Sequence, residues 1–191
     1  MLVQVIKEVP NEIFDNCLTE LLKIDWASLQ DGRKQGVFKT STSIHLRSHD
    51  VLKSAKMPTT IEEFSSIVEC VDNKGVVERF PAHYTAAKWI MSTVQGIKLG
   101  RIMIVHLEPK GTIGMHVDPG EYFERHSRYH IPLKTNSGVQ FIDKDNIKEH
   151  MPYMTLCRLN NLSPHSLIND SDEDRIHLIV DVETPRGNSI F

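Results

Sequence analysis

Residues 101–107 read RIMIVHL, 128–134 RYHIPLK, 138–142 GVQFI and 175–182 RIHLIVDV. Each is a short run rich in β-branched and other apolar residues, and each is too short for an ordinary globular helix. Turn-forming clusters separate them: Glu108-Pro109-Lys110-Gly111, Thr135-Asn136-Ser137-Gly138 and Asn169-Asp170-Ser171-Asp172. Further runs at 112–117, 154–159 and 165–168 complete a series of short strands from Gly100 onward. Many short strands at regular spacing predict a sandwich or barrel.

Upstream of Gly100 the pattern is mixed. Pro10 precedes Asn11, which can cap a helix; Ile13, Phe14, Cys17, Leu18, Leu21 and Leu22 then recur at helical spacing. Residues 36–47 (GVFKTSTSIHLR) roughly alternate and predict a strand. Thr60-Ile61-Glu62-Glu63 has the capping-box form ahead of a short helix, and a third helix is expected over about 82–94 with Trp89, Ile90 and Val94 inward. Trp26 and Trp89 are assigned to packing. No repeat, low-complexity tract or linker divides the chain, so we expect one mainly β domain with flanking helices (α+β) over 1–191. In it, 1–100 form a helical and strand support and 101–191 the β-rich core.

Composition narrows the function classes. The 22 Lys+Arg against 25 Asp+Glu give a net charge of −3, so no basic footprint supports nucleic-acid binding. No apolar run approaches the roughly 18 residues of a membrane span, and no membrane partner is expected. The stretch MLVQVIKEVPNEIF lacks a basic segment followed by an apolar one, so no signal peptide is expected. Cys17, Cys70 and Cys157 are odd in number and far apart, which suits a reduced, cytoplasmic setting. Ten histidines are many for 191 residues, and six of them (106, 116, 126, 130, 150, 165) fall within the 60 residues 106–165.

Four short blocks among them can carry chemistry. On an extended chain His116 and Asp118 of His116-Val117-Asp118 project from one face and can meet one ion. A second imidazole would complete two His and one carboxylate, the facial set suited to non-haem Fe(II) oxygen chemistry. His165 is the candidate, opening a strand after Asn160-Asn161-Leu162-Ser163-Pro164. Arg175 begins an apolar strand and wants an anion, either a cosubstrate carboxylate or nearby Asp172, Glu173 or Asp174. Arg128 and His130 share a strand face and can engage an anionic cosubstrate, or can be satisfied polar residues at a strand edge. Taken singly, H-V-D reads more readily as a strand-end His and a turn Asp, and His165 as a surface-loop histidine.

Together, H-V-D at 116–118, R-Y-H-I-P-L at 128–133 with T-N at 135–136, N-N-L-S-P-H-S-L-I-N at 160–169 and R-I-H-L-I-V-D-V at 175–182 resemble the aspartyl/asparaginyl β-hydroxylase family of 2-oxoglutarate- and Fe(II)-dependent oxygenases. The resemblance covers about 101–182. It implies a double-stranded β-helix, the jelly-roll or cupin-like barrel. It implies Fe(II) on His116, Asp118 and His165, with Arg175 on the distal carboxylate of 2-oxoglutarate. Arg128 and His130 match positions that help bind the cosubstrate near its other end. The implied reaction uses O2, hydroxylates an amino-acid side chain, free or in a short peptide, and releases succinate and CO2.

Two other readings stay open: a non-catalytic cupin-like binding module, and a metal-dependent barrel enzyme that does not use 2-oxoglutarate. Asn160, Asn161 and Asn169 are expected to fix the turns around His165, and Asp181 looks like a family position without a direct role. Thr40, Ser41, Ser43, His45 and Arg47 are candidate substrate contacts. One departure is visible: Pro109-Lys110-Gly111 stands where family members often carry Pro-Gly, which puts neighbouring cosubstrate contacts in question.

Overall fold

The structure, a computed structural model, describes residues 1–29, 38–53, 58–60, 63–64 and 66–185. In chain order the main elements are β1 (Val3–Glu8), α1 (Asn11–Leu21), β2 (Ser41–His49), β3 (Cys70–Asp72), α2 (Lys74–Arg79) and α3 (Pro81–Thr93). After them come β4 (Lys98–Leu107), β5 (Thr112–His116), α4 (Glu121–Arg125), β6 (His126–Lys134), β7 (Val139–Asp143), β8 (Lys148–Glu149), β9 (Thr155–Leu159), β10 (His165–Asn169) and β11 (Arg175–Glu183).

The strands form two antiparallel sheets. The larger has the order β1-β9-β6-β11-β4-β2-β3 and the smaller β5-β10-β7-β8. From β4 onward, consecutive strands mostly alternate between the sheets, giving β9-β6-β11-β4 opposite β5-β10-β7-β8. This is the jelly-roll arrangement of a double-stranded β-helix. Leu107, Cys157 and Leu159 of the large sheet pack with Val139, Phe141 and Leu167 of the small one, so the two sheets bury a shared interior.

The large sheet has two different faces because side chains alternate along each strand. Ile102 and Ile104 of β4, Tyr129, Ile131 and Leu133 of β6, and Ile176, Leu178, Val180 and Val182 of β11 point outward. They pack with Phe14 and Cys17 of α1 and Ala86, Ala87 and Ile90 of α3. The other face looks into the jelly roll and carries the polar residues described below. None of the described helices is long and apolar enough to cross a membrane.

Several local expectations are met with adjusted detail. Helix α1 starts at Asn11, but Pro10 is the capping residue and no side chain caps it; Asn11 is already helical. Pro10 fixes its own φ and presents its carbonyl to Phe14 N at 3.0 Å, so the turn needs no Asn cap. The Thr60–Glu63 capping box forms in both directions, at 3.2 and 3.3 Å, whereas parts of the helix expected after it lie outside the described residues. The strand expected at 36–47 is Ser41–His49, and 36–37 fall outside the described residues. Strand β1 was not expected from the pattern: an edge strand that buries only Val3 shows no inward alternation.

Candidate functional site

Strand β5 ends at His116, and β10 begins at His165 directly opposite it in the small sheet. The two imidazoles lie with centroids 4.3 Å apart. Each ring places Nδ1 on a backbone carbonyl two residues earlier: His116 on Gly114 O at 2.8 Å and His165 on Ser163 O at 2.9 Å. A carbonyl only accepts, so each Nδ1 carries the proton and each Nε2 keeps its lone pair. Fixing the tautomer in this way is how proteins orient imidazoles toward a metal.

Asp118 lies beyond the end of β5, so strand alternation alone does not position it. Its backbone N–H donates to Asn161 O at 3.1 Å, and Asn161 Nδ2 donates to Asp118 Oδ2 at 3.2 Å. Arg128 donates to the same Oδ2. Oδ1 is left facing His116, 3.9 Å from its Nε2. Burial pushes the Asp118 carboxyl up, but Arg128, with His165 and Arg101 behind it, outweighs burial and holds it below the usual carboxylate range. Burial pulls the His165 imidazole down to about 4, against the neighbouring Asp118 charge. Neutral imidazole and ionised carboxylate are the forms that bind metals. As they stand, no group of three His, Cys, Asp or Glu side chains among the described residues closes on a single point. The donor types, tautomers and charge states nonetheless fit a divalent cation of the Fe(II) kind.

A residue without an assigned role in the sequence reading organises this corner. Asp181 is fully buried on β11 and accepts from Arg128 Nε at 2.8 Å, Arg128 Nη2 at 3.1 Å, Arg101 Nε at 3.0 Å and Tyr122 Oη at 3.2 Å. Burial would raise its carboxyl, but Arg128 and Arg101 drive it far below the usual range. Arg128 thus spends its donors on Asp118 and Asp181. Its guanidinium also lies 5.1 Å from the Phe123 ring centroid. The available sequence signal was an acid inside an apolar strand, which requires a partner.

Deeper in the jelly roll, His116, His165, Arg128, His130, Arg175 and Phe141 help line a cavity of about 60 Å³. Arg175 is 1% exposed. None of the acids that rivalled a cosubstrate for it is its partner: Asp174 instead pairs with His106 at 2.8 Å. Arg175 Nη2 donates to His177 Nδ1 at 2.7 Å, its Cζ lies 5.8 Å from the Phe141 centroid, and its Nε is buried with no partner among the described residues. Burial alone, with no counter-charge, brings this guanidinium down to about 9.

His177 Nδ1 accepts from Arg175, so His130 Nδ1, 3.3 Å away, is the donor of that pair. The His130 Nε2 lone pair is then buried and without a partner among the described residues. Burial, aided by Arg175, holds both imidazoles well below the ordinary histidine range. The sequence reading did not single out His177.

Of the candidate substrate contacts on and before β2, Ser41 lines the cavity. Thr40 Oγ1 bonds across to Thr112, and Ser43 Oγ and His45 Nε2 bond each other at 2.9 Å. Arg47 is committed to Asp72, Leu99 O and Cys70 O. Asn169 ties Glu108 O and Glu173 O together, a structural role, whereas Asn161 serves Asp118. Lys110 adopts φ 57° and pairs with Asp170 and Asp172. The turn absorbs it at the Thr112 end of β5, the opposite end from His116.

Residues 42–185 match the family model described as aspartyl/asparaginyl beta-hydroxylase. No curated protein matches. Among solved structures the chain resembles a prolyl hydroxylase in complex with a hypoxia inducible factor oxygen degradation domain peptide fragment from Trichoplax adhaerens. Identity there is 10% over 99% of this chain and 87% of that one, with a TM-score of 0.56. An oxidoreductase of the 2OG-Fe(II) oxygenase family from Burkholderia pseudomallei matches at 12% identity over 89% and 79%, TM-score 0.56. A Pseudomonas putida prolyl-4-hydroxylase matches at 10% over 95% and 91%, TM-score 0.53. At these identities the likeness is one of fold.

Proposed function

We propose that this chain, which belongs to the aspartyl/asparaginyl β-hydroxylase family, is a 2-oxoglutarate- and Fe(II)-dependent oxygenase that hydroxylates a C–H bond of an amino-acid side chain. When bound, Fe(II) with 2-oxoglutarate and O2 supplies the oxidising chemistry, the keto acid leaving as succinate and CO2. The chain's own residues do the holding. His116 and His165 offer Nε2, because their Nδ1 protons are spent on carbonyls, and Asp118 offers Oδ1, because Asn161 and Arg128 occupy Oδ2. Arg175 takes the distal carboxylate of the cosubstrate. His130 presents an acceptor nitrogen on the cavity wall, and Arg128 borders the other end of the cosubstrate while steadying Asp118. The apolar walls exclude water, which strengthens each of these charge interactions.

The observation that carries this reading is Arg175, a buried guanidinium with no acidic partner among the described residues, in the same cavity as two lone-pair-bearing imidazoles. A buried, unpaired charge costs several kcal/mol, and an anionic cosubstrate offsets that cost. A binding module has no need of it, and a barrel enzyme without a dicarboxylate cosubstrate has no use for a cation there. The substrate is a small molecule or short peptide. The three free, buried cysteines support a reducing, cytoplasmic setting.

Anaerobic addition of Fe(II) and 2-oxoglutarate should give a weak visible charge-transfer band. Asp118→Ala and His116→Ala should abolish it, and Arg175→Met should raise the 2-oxoglutarate concentration needed at least tenfold. A band unchanged in all three variants would refute the assignment. Succinate release against a panel of free amino acids and peptides then finds the substrate.

A further inference from the structure

Arg101 makes no hydrogen bond to His116, Asp118 or His165; its one side-chain bond among the described residues goes to Asp181. It stands on β4 with its Nε on Asp181 Oδ2 at 3.0 Å, the same oxygen that Arg128 Nη2 reaches at 3.1 Å. The two guanidiniums are therefore no more than two hydrogen-bond lengths apart, and Arg128 touches Asp118. The Arg101 Cζ lies 5.1 Å from the Tyr122 ring centroid and 4.8 Å from that of Phe123. Its backbone N–H donates to Tyr122 Oη at 2.7 Å. Ring contacts and the Nε bond fix the planar head in one orientation.

The head is held but not used up. Among the described residues only Nε has a partner. The two terminal nitrogens have none, yet they are not sealed from solvent, and the side chain is 15% exposed. Two unpaired, coplanar N–H2 groups on an immobilised guanidinium match a carboxylate in bidentate geometry. Charge counting agrees. Arg101, Arg128 and Arg175 face two carboxylates, Asp118 and Asp181. A divalent metal and a dianionic keto acid cancel each other, which leaves one positive charge at the site.

The surroundings describe the rest of the ligand. Two residues along β4 on the same face is Met103, about 7 Å away at strand spacing. Met103, Val105 and Ile179 form a small apolar cluster, and all three line the cavity beside His116. A molecule with its carboxylate on Arg101 would lay an aliphatic portion over this cluster and bring it toward His116 and His165.

We propose that Arg101 is the substrate anchor, gripping a carboxylate of a small aliphatic substrate whose C–H bonds then lie over Met103 and Ile179. This rests on the oxygenase reading for the position of the reacting centre. The carboxylate can be the α-carboxylate of a free amino acid or an acidic side chain in a peptide.

The test measures thermal shifts of the full chain loaded anaerobically with Fe(II) and 2-oxoglutarate. One arm titrates free L-alanine, L-valine, L-leucine, L-isoleucine and L-proline against their amides. A second arm compares an end-blocked aspartyl dipeptide with its asparaginyl counterpart. In at least one arm the acid should bind at least tenfold tighter than its amide counterpart. Arg101→Met should reduce that preference to within twofold, Arg101→Lys should keep part of it, and 2-oxoglutarate should still give a shift in both variants. The arm that responds identifies the source of the carboxylate. Equal binding of acids and amides, a preference that survives in Arg101→Met, or no binding by any acid would each overturn the proposal. The loading step keeps the two ideas separate. No shift with 2-oxoglutarate in the wild type would sink the oxygenase reading, and the acid–amide comparison is then read on the unloaded chain.

Discussion

Strand β11 has two faces that are equally dry and chemically opposite. Ile176, Leu178, Val180 and Val182 pack against the helices, whereas Arg175, His177 and Asp181 look into the jelly roll with Ile179 between them. On the helical face the requirement is volume and hydrocarbon, which many residues satisfy. On the inner face each group needs a particular partner at a particular distance, because an unpaired polar group out of water is costly. The inner face meets that requirement for Asp181 four times over, whereas Arg175 has His177 but, among the described residues, no partner for Nε and no counter-charge. The contrast separates a residue whose charge is fully partnered from one whose charge is not.

The comparison breaks most sharply at Asp181. Asp181→Asn removes the charge that neutralises two guanidiniums, and it should cost about 3–5 kcal/mol of stability. It should also weaken Fe(II) binding about 10–100-fold through Arg128 and Asp118. Urea unfolding and metal titration on the same preparation check both, and a loss of stability without a loss of metal affinity would separate the two roles. On the opposite face, Leu178→Ala should cost about 2–5 kcal/mol while leaving 2-oxoglutarate affinity within twofold.

Acid should act on the polar side before the apolar one. His49, packed on Tyr122, is brought down to about 4 by burial and then by Arg101, and burial brings His165 to about 4. Their folded values lie below the unfolded value near 6.5, so the unfolded chain binds the extra protons in this interval. Their contribution is complete above about pH 6.5 and is lost as pH falls toward 4. Urea midpoints measured across that range should fall, and His49→Gln should flatten the slope. The smallest effect is expected at Lys110, where replacement by Ala should leave both the melting temperature and 2-oxoglutarate affinity unchanged. A shift in affinity there would show that the β4–β5 turn reaches the cosubstrate.

Much of the scaffold could be read from local pattern. The 3.6 spacing of Phe14, Cys17 and Leu21 marks α1, and the short runs after Gly100 appear as strands within a residue or three of their bounds. His116, Asp118 and His165 could be picked out through their blocks, and the structure brings the two rings together across one strand pair. Asn161 was legible as a turn residue but not as the donor that holds Asp118. His177 gave no signal, because a histidine in an apolar strand reads as filler until Arg175 is seen pointing at its Nδ1.

Periodicity, turn chemistry and the order of four short blocks are written along the chain, and they specify most strands, the main helices and which residue types are available for chemistry. It takes the folded chain to bring Arg101 onto an oxygen of Asp181, 80 positions away, and to leave Arg175 without an acidic partner among the described residues. The reason is physical: local conformation depends on neighbours in sequence, but the worth of a buried charge depends on distance to its counter-charge. That distance is set by strand register across the sheets.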